Sequence, residues 1–383
     1  MTDKKIKFSI VLPAYNVEQY IIEALECLGG QDYPEYEVIV VDDCATDATG
    51  ELAEQFAAES GGGKFSVIHQ PQNRGVSEAR NSGMDAAIGE YILFLDPDDY
   101  YEPSLLSTLY AALEEKRWDI VLFGYTEDYL DADGKLSYRV KKSLPGARFT
   151  GLRAISGGDA DGGTAVDADA AGERKAFADC ISRLERETMY GYPWNKAYRL
   201  DYLRTRGIRF PRITHIEDIM FNISAFEEIS SFALLPEVLY HYRNQGQTRL
   251  TGKYLADYLE LQKTRIQAFL DQQCRWRGQE LRELDAEVLE IMAGFYFRSL
   301  QSAIVRAIAH EDPRREVFGW LKTEMKSSLY GLLQGHLAGG RSARMLYEPL
   351  ARGHIMTAYL SARVIAGVQR YFPSLYARLK QKR

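Results

Sequence analysis

An α/β fold, with a doubly wound and mostly parallel sheet followed by a mostly helical C-terminal extension, is what this 383-residue sequence predicts. Three observations carry the prediction. Short apolar runs alternate with amphipathic stretches through the first 125 residues, the pattern of strands joined by helical crossovers. The run at 91–95, Tyr-Ile-Leu-Phe-Leu, is apolar on both faces, as a strand buried in a parallel sheet must be. From about residue 254 onward, apolar residues recur at helical spacing, as at Leu255, Leu259, Ile266 and Leu270 and again at Leu289, Met292, Tyr296 and Leu300.

The elements follow in order. Strands are predicted at 8–12, 37–41, 65–69, 91–95 and 120–123, and helices at 18–28, 47–59, 76–87 and 103–115. Asp47 suits the N-cap of the second helix and Pro103 the first position of the fourth. Residues 156–172, rich in Gly, Ala and Asp, read as a flexible surface insertion. The stretch 190–252 reads as mixed and compact. The chain thus divides into residues 1–253, an α/β domain, and 254–383, a helical region, with Gly339 and Gly340 marking a break before the tail.

Ligands of open parallel sheets bind at the carboxyl ends of strands. Polar residues gather there: Pro13, Ala14, Tyr15 and Asn16 after the first strand, Asp42 and Asp43 after the second, and Asp96, Asp98 and Asp99 after the fourth. Crowded carboxylates repel unless cations or donors compensate. On extended backbone Asp96 and Asp98 would point the same way, and two such oxygens suit a hard divalent cation that takes its remaining ligands from phosphate. The competing explanation, an acidic turn capping the next helix, would have to hold at three strand ends at once.

Charge is unevenly spread. The net charge is −7, yet residues 341–383 carry nine Lys/Arg against Glu348 alone, which leaves −15 on the preceding 340 residues. An acidic body of this kind is a poor nucleic-acid ligand. Leu360, Val364, Val368, Phe372 and Leu375 form an apolar stripe in the tail, with arginines largely off it, the composition of a helix drawn to an anionic membrane surface. Packing on the protein's own body or on another subunit, as in a homo-oligomer, is the alternative. The four cysteines lack zinc-ligand or disulfide spacing, no run of 18 apolar residues exists, and the N-terminus does not read as a signal peptide. A cytoplasmic setting is expected, with a peripheral position on the membrane face if the tail docks there.

Five blocks, in order, resemble the family-two glycosyltransferases with the Rossmann-like GT-A fold. They are Ser-Ile-Val-Leu-Pro-Ala-Tyr-Asn (9–16), Val-Val-Asp-Asp-Cys-Ala-Thr-Asp-Ala-Thr (40–49), Asn-Arg-Gly-Val-Ser-Glu-Ala-Arg-Asn (73–81), Phe-Leu-Asp-Pro-Asp-Asp (94–99) and Glu-Asp-Ile-Met-Phe-Asn (217–222). The resemblance spans about residues 6–250. It implies a nucleotide-diphosphate sugar donor and a divalent metal, Mn²⁺ or Mg²⁺. It places Pro13, Tyr15, Asn16, Glu18, Asp43, Asn73, Arg80 and Asp96 beside the nucleotide, with Arg243 suited to a phosphate. Asp98, with Asp96, matches the metal motif. Asp218 matches the catalytic base, with Glu217 as its helper, and Trp194, Asn195 and Lys196 fall on the acceptor side. One departure is Cys44 and Ala45 where the family usually has Gly-Ser. The implied activity is a metal-dependent, inverting transfer of a hexose or N-acetylhexosamine, UDP-linked donors favoured, to a glycan or lipid-linked acceptor of a cell-surface polysaccharide. A polyol-phosphate or nucleotidyl transferase on the same fold, or a sugar-binding module without catalysis, would be the alternatives. The Glu-Asp motif weighs against the first, and the complete set Asp43, Asp96, Asp98 and Asp218 against the second.

Overall fold

The structure, a computed structural model, describes residues 7–60, 63–131, 134–152, 168–244, 255–338 and 341–372. It divides into two compact units, Met1–Gln245 and Gly246–Arg383.

The first unit contains strands β1 (Phe8–Ala14), β2 (Tyr36–Asp42), β3 (Phe65–His69), β4 (Tyr91–Phe94), β5 (Tyr100–Tyr101), β6 (Ile120–Leu130), β7 (Leu136–Lys142), β8 (Ala147–Thr150), β9 (Lys196–Arg199) and β10 (Ser231–Asn244). Its helices are α1 (Ile21–Gly29), α2 (Thr49–Glu59), α3 (Val76–Ala86), α4 (Leu105–Glu115), α5 (Ala168–Arg186), α6 (Leu200–Thr205) and α7 (Glu217–Glu227). The sheet order is β3-β2-β1-β4-β9-β6-β10-β5, with β7 on β6 and β8 on β10. Strands β3, β2, β1 and β4 run parallel, with Ala14 level with Asp42 and Val11 level with Phe94. Their carboxyl ends therefore open on one edge. Every residue of β1 and β4 is buried, which is why both read as unbroken apolar runs.

Several expectations are corrected. Helix α2 starts at Thr49, not at 47–48; Asp47 instead accepts from the Thr49 N–H at 3.0 Å and the Glu18 N–H at 3.1 Å. Helix α4 starts at Leu105, two residues after Pro103, whose carbonyl accepts from the Asp32 N–H. Of the expected insertion, residues 168–172 belong to α5, and the remainder lies outside the described residues. Strand β9, antiparallel between β4 and β6, interrupts the parallel sheet.

The second unit is helical: α8 (Tyr258–Arg277), α9 (Ala286–Ala309), α10 (Arg314–Glu324), α11 (Ser328–Leu333), α12 (Arg341–Ala351) and α13 (Ile355–Tyr371). Helices α8 and α9 pack together, with Ile266 and Leu270 of α8 and Leu289, Met292, Tyr296 and Leu300 of α9 buried. A buried carboxylate, Glu324, is satisfied there by Lys263 at 2.9 Å and the Tyr296 hydroxyl at 2.6 Å. Among the described residues no helix is long and apolar enough to cross a membrane.

Candidate active site

The loops after β1 and β2 are stitched together before any ligand arrives. Asn16, at φ 52°, accepts from the Thr46 N–H at 2.8 Å. Glu18 accepts from the Ala48 N–H at 3.0 Å, which places its carboxylate at the start of α2. Pro13 is buried in register with Val41, whereas Tyr15 is exposed on the same loop. Asp43 is buried, and its two oxygens accept from the Arg74 and Gly75 N–H groups at 2.8 and 2.7 Å. It thereby shapes the turn at Gly75 (φ 84°) from which α3 departs. Asn73 stands exposed in that same loop. Cys44 takes φ 60°, a left-handed conformation that a glycine adopts without cost, so the departure from the family's Gly falls where backbone freedom matters.

Arg80, buried on α3, is the hinge of the arrangement. Its Nη2 donates to Asp96 Oδ1 at 2.9 Å and its Nη1 to Asp218 Oδ1 at 2.5 Å. Its guanidinium lies 5.2 Å from the Phe210 ring centre, and its Nε has no hydrogen-bond partner. Asp96 and Asp218, 122 residues apart in sequence, thus converge on one cation. Asp218 occupies the first turn of α7, as expected of an acid at a helix N-terminus. Burial, opposed by Arg80 and reinforced by Glu217 and Asp96, pushes its carboxyl up to about 6. Glu217 sits beside it with Oε2 buried and unpartnered. Asn222, one turn later, donates to the Asp218 carbonyl and to the Gly191 carbonyl, each at 3.0 Å, and accepts from the Tyr198 hydroxyl at 2.7 Å. It fixes the turn that presents Asp218. The sequence signal was there, since Asn222 closes the Glu-Asp block, but only a donor with two acceptors in reach reveals its task.

The aspartates after β4 differ from expectation. Residues 96–99 form a turn closed by the Asp99 N–H on the Asp96 carbonyl at 3.0 Å, so Asp96 and Asp98 are not aligned by extended backbone. Both remain partly exposed. Asp99 is buried, accepting from the Tyr240 hydroxyl at 2.6 Å and the Arg243 N–H at 2.7 Å. Burial and the neighbouring Asp98 and Asp96 hold its carboxyl well above the ordinary range. Among the described residues no group of three His, Cys, Asp or Glu side chains converges on a metal position. Two partly exposed carboxylates do fit a cation that draws its other ligands from a diphosphate and water.

The acceptor-side expectation is corrected for three residues. Trp194 is buried, stacked on Tyr240 (centroids 4.1 Å apart) and Tyr192 (4.6 Å), with Tyr125 edge-on at 4.7 Å. Asn195 and Lys196 are fully buried. The Lys196 ammonium donates to the carbonyls of Met189, Tyr190 and Tyr192 at 3.2, 2.9 and 2.5 Å, and also lies 2.8 Å from Asn195 Oδ1. Asn195 donates to the Met189 carbonyl at 3.0 Å. These residues hold the 189–192 loop rather than a ligand. The partly exposed aromatics of this stack are Tyr192 and Tyr242. Arg243, expected at a phosphate, forms a bidentate pair with Glu23 of α1, one arm at 2.7 Å, and lies over Tyr100.

A parallel sheet with paired loops at one edge, clustered aspartates after β4 and a buried arginine joining Asp96 to an acid on α7 define a GT-A fold. The glycosyl transferase family 2 model matches residues 9–204, and the chain belongs to that family. EpsJ, a glycosyltransferase of Bacillus subtilis (strain 168), is 31% identical over 236 residues, covering 61% of this chain and 60% of that protein. The poly(ribitol-phosphate) beta-N-acetylglucosaminyltransferase TarS of Staphylococcus aureus (strain MW2) is 27% identical over 265 residues, covering 67% of this chain and 39% of TarS. The crystal structure of S. aureus TarS 1–349 in complex with UDP-GlcNAc superposes with a TM-score of 0.61 over 93% of this chain and 90% of that one, at 22% identity. The chain spans about 60% of the length of EpsJ and less of TarS.

Proposed function

We propose that this protein transfers a sugar from a nucleotide-diphosphate sugar to a hydroxyl of a glycan or lipid-linked acceptor in cell-surface polysaccharide synthesis, with inversion at the anomeric carbon. A UDP-linked hexose or N-acetylhexosamine is the favoured donor, in keeping with the UDP-GlcNAc held by the TarS structure of the same fold. The carrying observation is the Arg80 bridge, which brings Asp96 after β4 and the acid of α7 to opposite arms of one guanidinium.

The chemistry follows from that spacing. The acceptor oxygen bonds to the anomeric carbon while the bond from that carbon to the diphosphate breaks. The acceptor proton passes to Asp218, whose Oδ1 is bonded to Arg80, so Oδ2 is the oxygen to receive it. Attack from the face opposite the leaving group inverts the configuration. Asp98, with Asp96, would hold Mn²⁺ or Mg²⁺, which when bound neutralises charge developing on the departing diphosphate. Arg80 bridges Asp96 and Asp218 and opposes the protonation of Asp218, and Asp43 with Asn16 and Glu18 keeps the nucleotide-side loops in place. Tyr192 and Tyr242 offer the partly exposed aromatic faces against which an acceptor sugar can stack. The test is nucleotide release from a panel of UDP-sugars with Mn²⁺, with and without chelator. Release of UDP from one donor, abolished by chelator and by Asp218→Asn, supports the reading; release unaffected by chelator removes the metal from it, and no release from any donor removes the transferase.

A further inference from the structure

Among the described residues eight large apolar side chains are exposed, and five of them, Met356, Leu360, Val364, Tyr371 and Phe372, sit on α13 or its C-cap. They are between 46% and 69% exposed. At 3.6 residues per turn Met356, Leu360, Val364 and Tyr371 fall within an arc of about 80°. Ala358, Tyr359 and Ala362 occupy the opposite face and are buried. That inner face is already satisfied: Tyr359 meets Phe318 edge-on at 5.3 Å, and Ser361 accepts from Gln301 at 3.3 Å. The outer stripe is therefore left over from folding. Arg363 and Arg370, both exposed, line one edge of it.

What covers the stripe is indicated by charge. Residues 349–383 contain seven Lys/Arg and no Asp or Glu. A second copy of this face would bring like charge against like. A neutral surface would leave the arginines unused, and the chain as a whole, at −7, is repelled by an anionic surface except through this segment. We propose that α13 lies in the interface of an anionic phospholipid surface, its Met356, Leu360, Val364 and Tyr371 side chains among the acyl chains and Arg363 and Arg370 at the headgroup phosphates. Its 17 residues extend about 25 Å, and it lies on the membrane rather than crossing it. The purpose of the contact rests on the reading of a lipid-linked acceptor, but the contact itself does not.

The experiment is sedimentation of the full chain with phosphatidylcholine vesicles, with and without phosphatidylglycerol. The protein is expected to pellet with the anionic vesicles only, and less as salt rises. Leu360→Glu with Val364→Glu, and separately Arg363→Gln with Arg370→Gln, should each weaken binding about tenfold or more while circular dichroism and nucleotide release in solution stay unchanged. No binding to anionic vesicles overturns the proposal, as does equal binding by all variants. Self-association in light scattering that Leu360→Glu with Val364→Glu abolishes would assign the face to a second copy and also overturn it. Vesicle binding without nucleotide release would sink the transferase reading alone, and the reverse would sink the docking alone.

Discussion

Asp218 carries two opposed demands. A base must be ionised, yet burial pushes its carboxyl up to about 6, so turnover should fall as pH drops through about 6. Initial rates of nucleotide release against pH check this; a rate flat down to pH 4 removes Asp218 as the base. Arg80 opposes the shift, so Arg80→Gln should move the acid limb to higher pH, in addition to lowering the maximum. The same raised value bears on stability. A folded-state value above the unfolded 3.8 means that the stabilising, protonated form is fully present below about pH 4 and lost as pH rises through about 6. Asp218→Asn, which cannot ionise, should therefore lose turnover by a factor of about 10² or more while gaining stability relative to wild type as pH rises from 4 to 6. Denaturant midpoints at the two pH values measure the second effect. At Cys44 the strain is of the backbone. A non-glycine residue at φ 60° costs about 1 kcal/mol, so Cys44→Gly should be neutral or stabilising by up to that amount, with activity kept.

The elements legible in the sequence are those whose periodicity matches their burial. Strands β1 to β4 and helices α1 to α4 lie within a few residues of where the sequence predicts them: β1 and β4 are apolar on both faces, β2 and β3 are short β-branched and aromatic runs, and the helices alternate apolar and polar faces. Strand β9 was not, because it is four residues long and begins with a lysine that composition assigns to the surface. Lys196 is tolerated inside because the 189–192 turn offers it three carbonyls. The same blindness misplaced Trp194, Asn195 and Lys196 on the acceptor: the motif locates the segment, but only packing shows which side chains face inward. Likewise the alternation rule failed at Asp96 and Asp98, where a turn replaces extended backbone. The clamp makes a prediction of its own. Lys196→Met keeps the volume but strands those carbonyls, and should cost about 2–4 kcal/mol in urea unfolding. Tyr192→Ala, at the partly exposed end of the same stack, should instead raise the acceptor KM with a smaller loss of stability, separating the loop's anchor from its working face.

At the scale of the molecule, the sequence places a change from mixed to helical pattern near residue 254, and the chain divides into its two compact units between Gln245 and Gly246. The charge contrast between an acidic body and a basic tail was legible by counting, whereas the exposure of the tail's apolar stripe was not, since a stripe at helical spacing reads the same whether it faces a core or solvent. Each unit has its own buried core: the first closes around a ten-stranded sheet, and the second around α9. A chain with more than one core departs from a single two-state transition. The proposed donor and metal ligands, Asp43, Asp96, Asp98 and Arg80, all belong to the first unit. Binding to the native state alone stabilises by RT ln(1 + [L]/Kd), about 2.7 kcal/mol at a hundredfold excess over Kd. Calorimetry of the full chain should therefore show two transitions, of which UDP with Mn²⁺ raises one and leaves the other in place. Chelator should return the raised transition to its starting temperature. A ligand shift carried equally by both would mean that the helical unit unfolds with the sheet as one cooperative body, and a shift that survives chelator would take the metal out of donor binding.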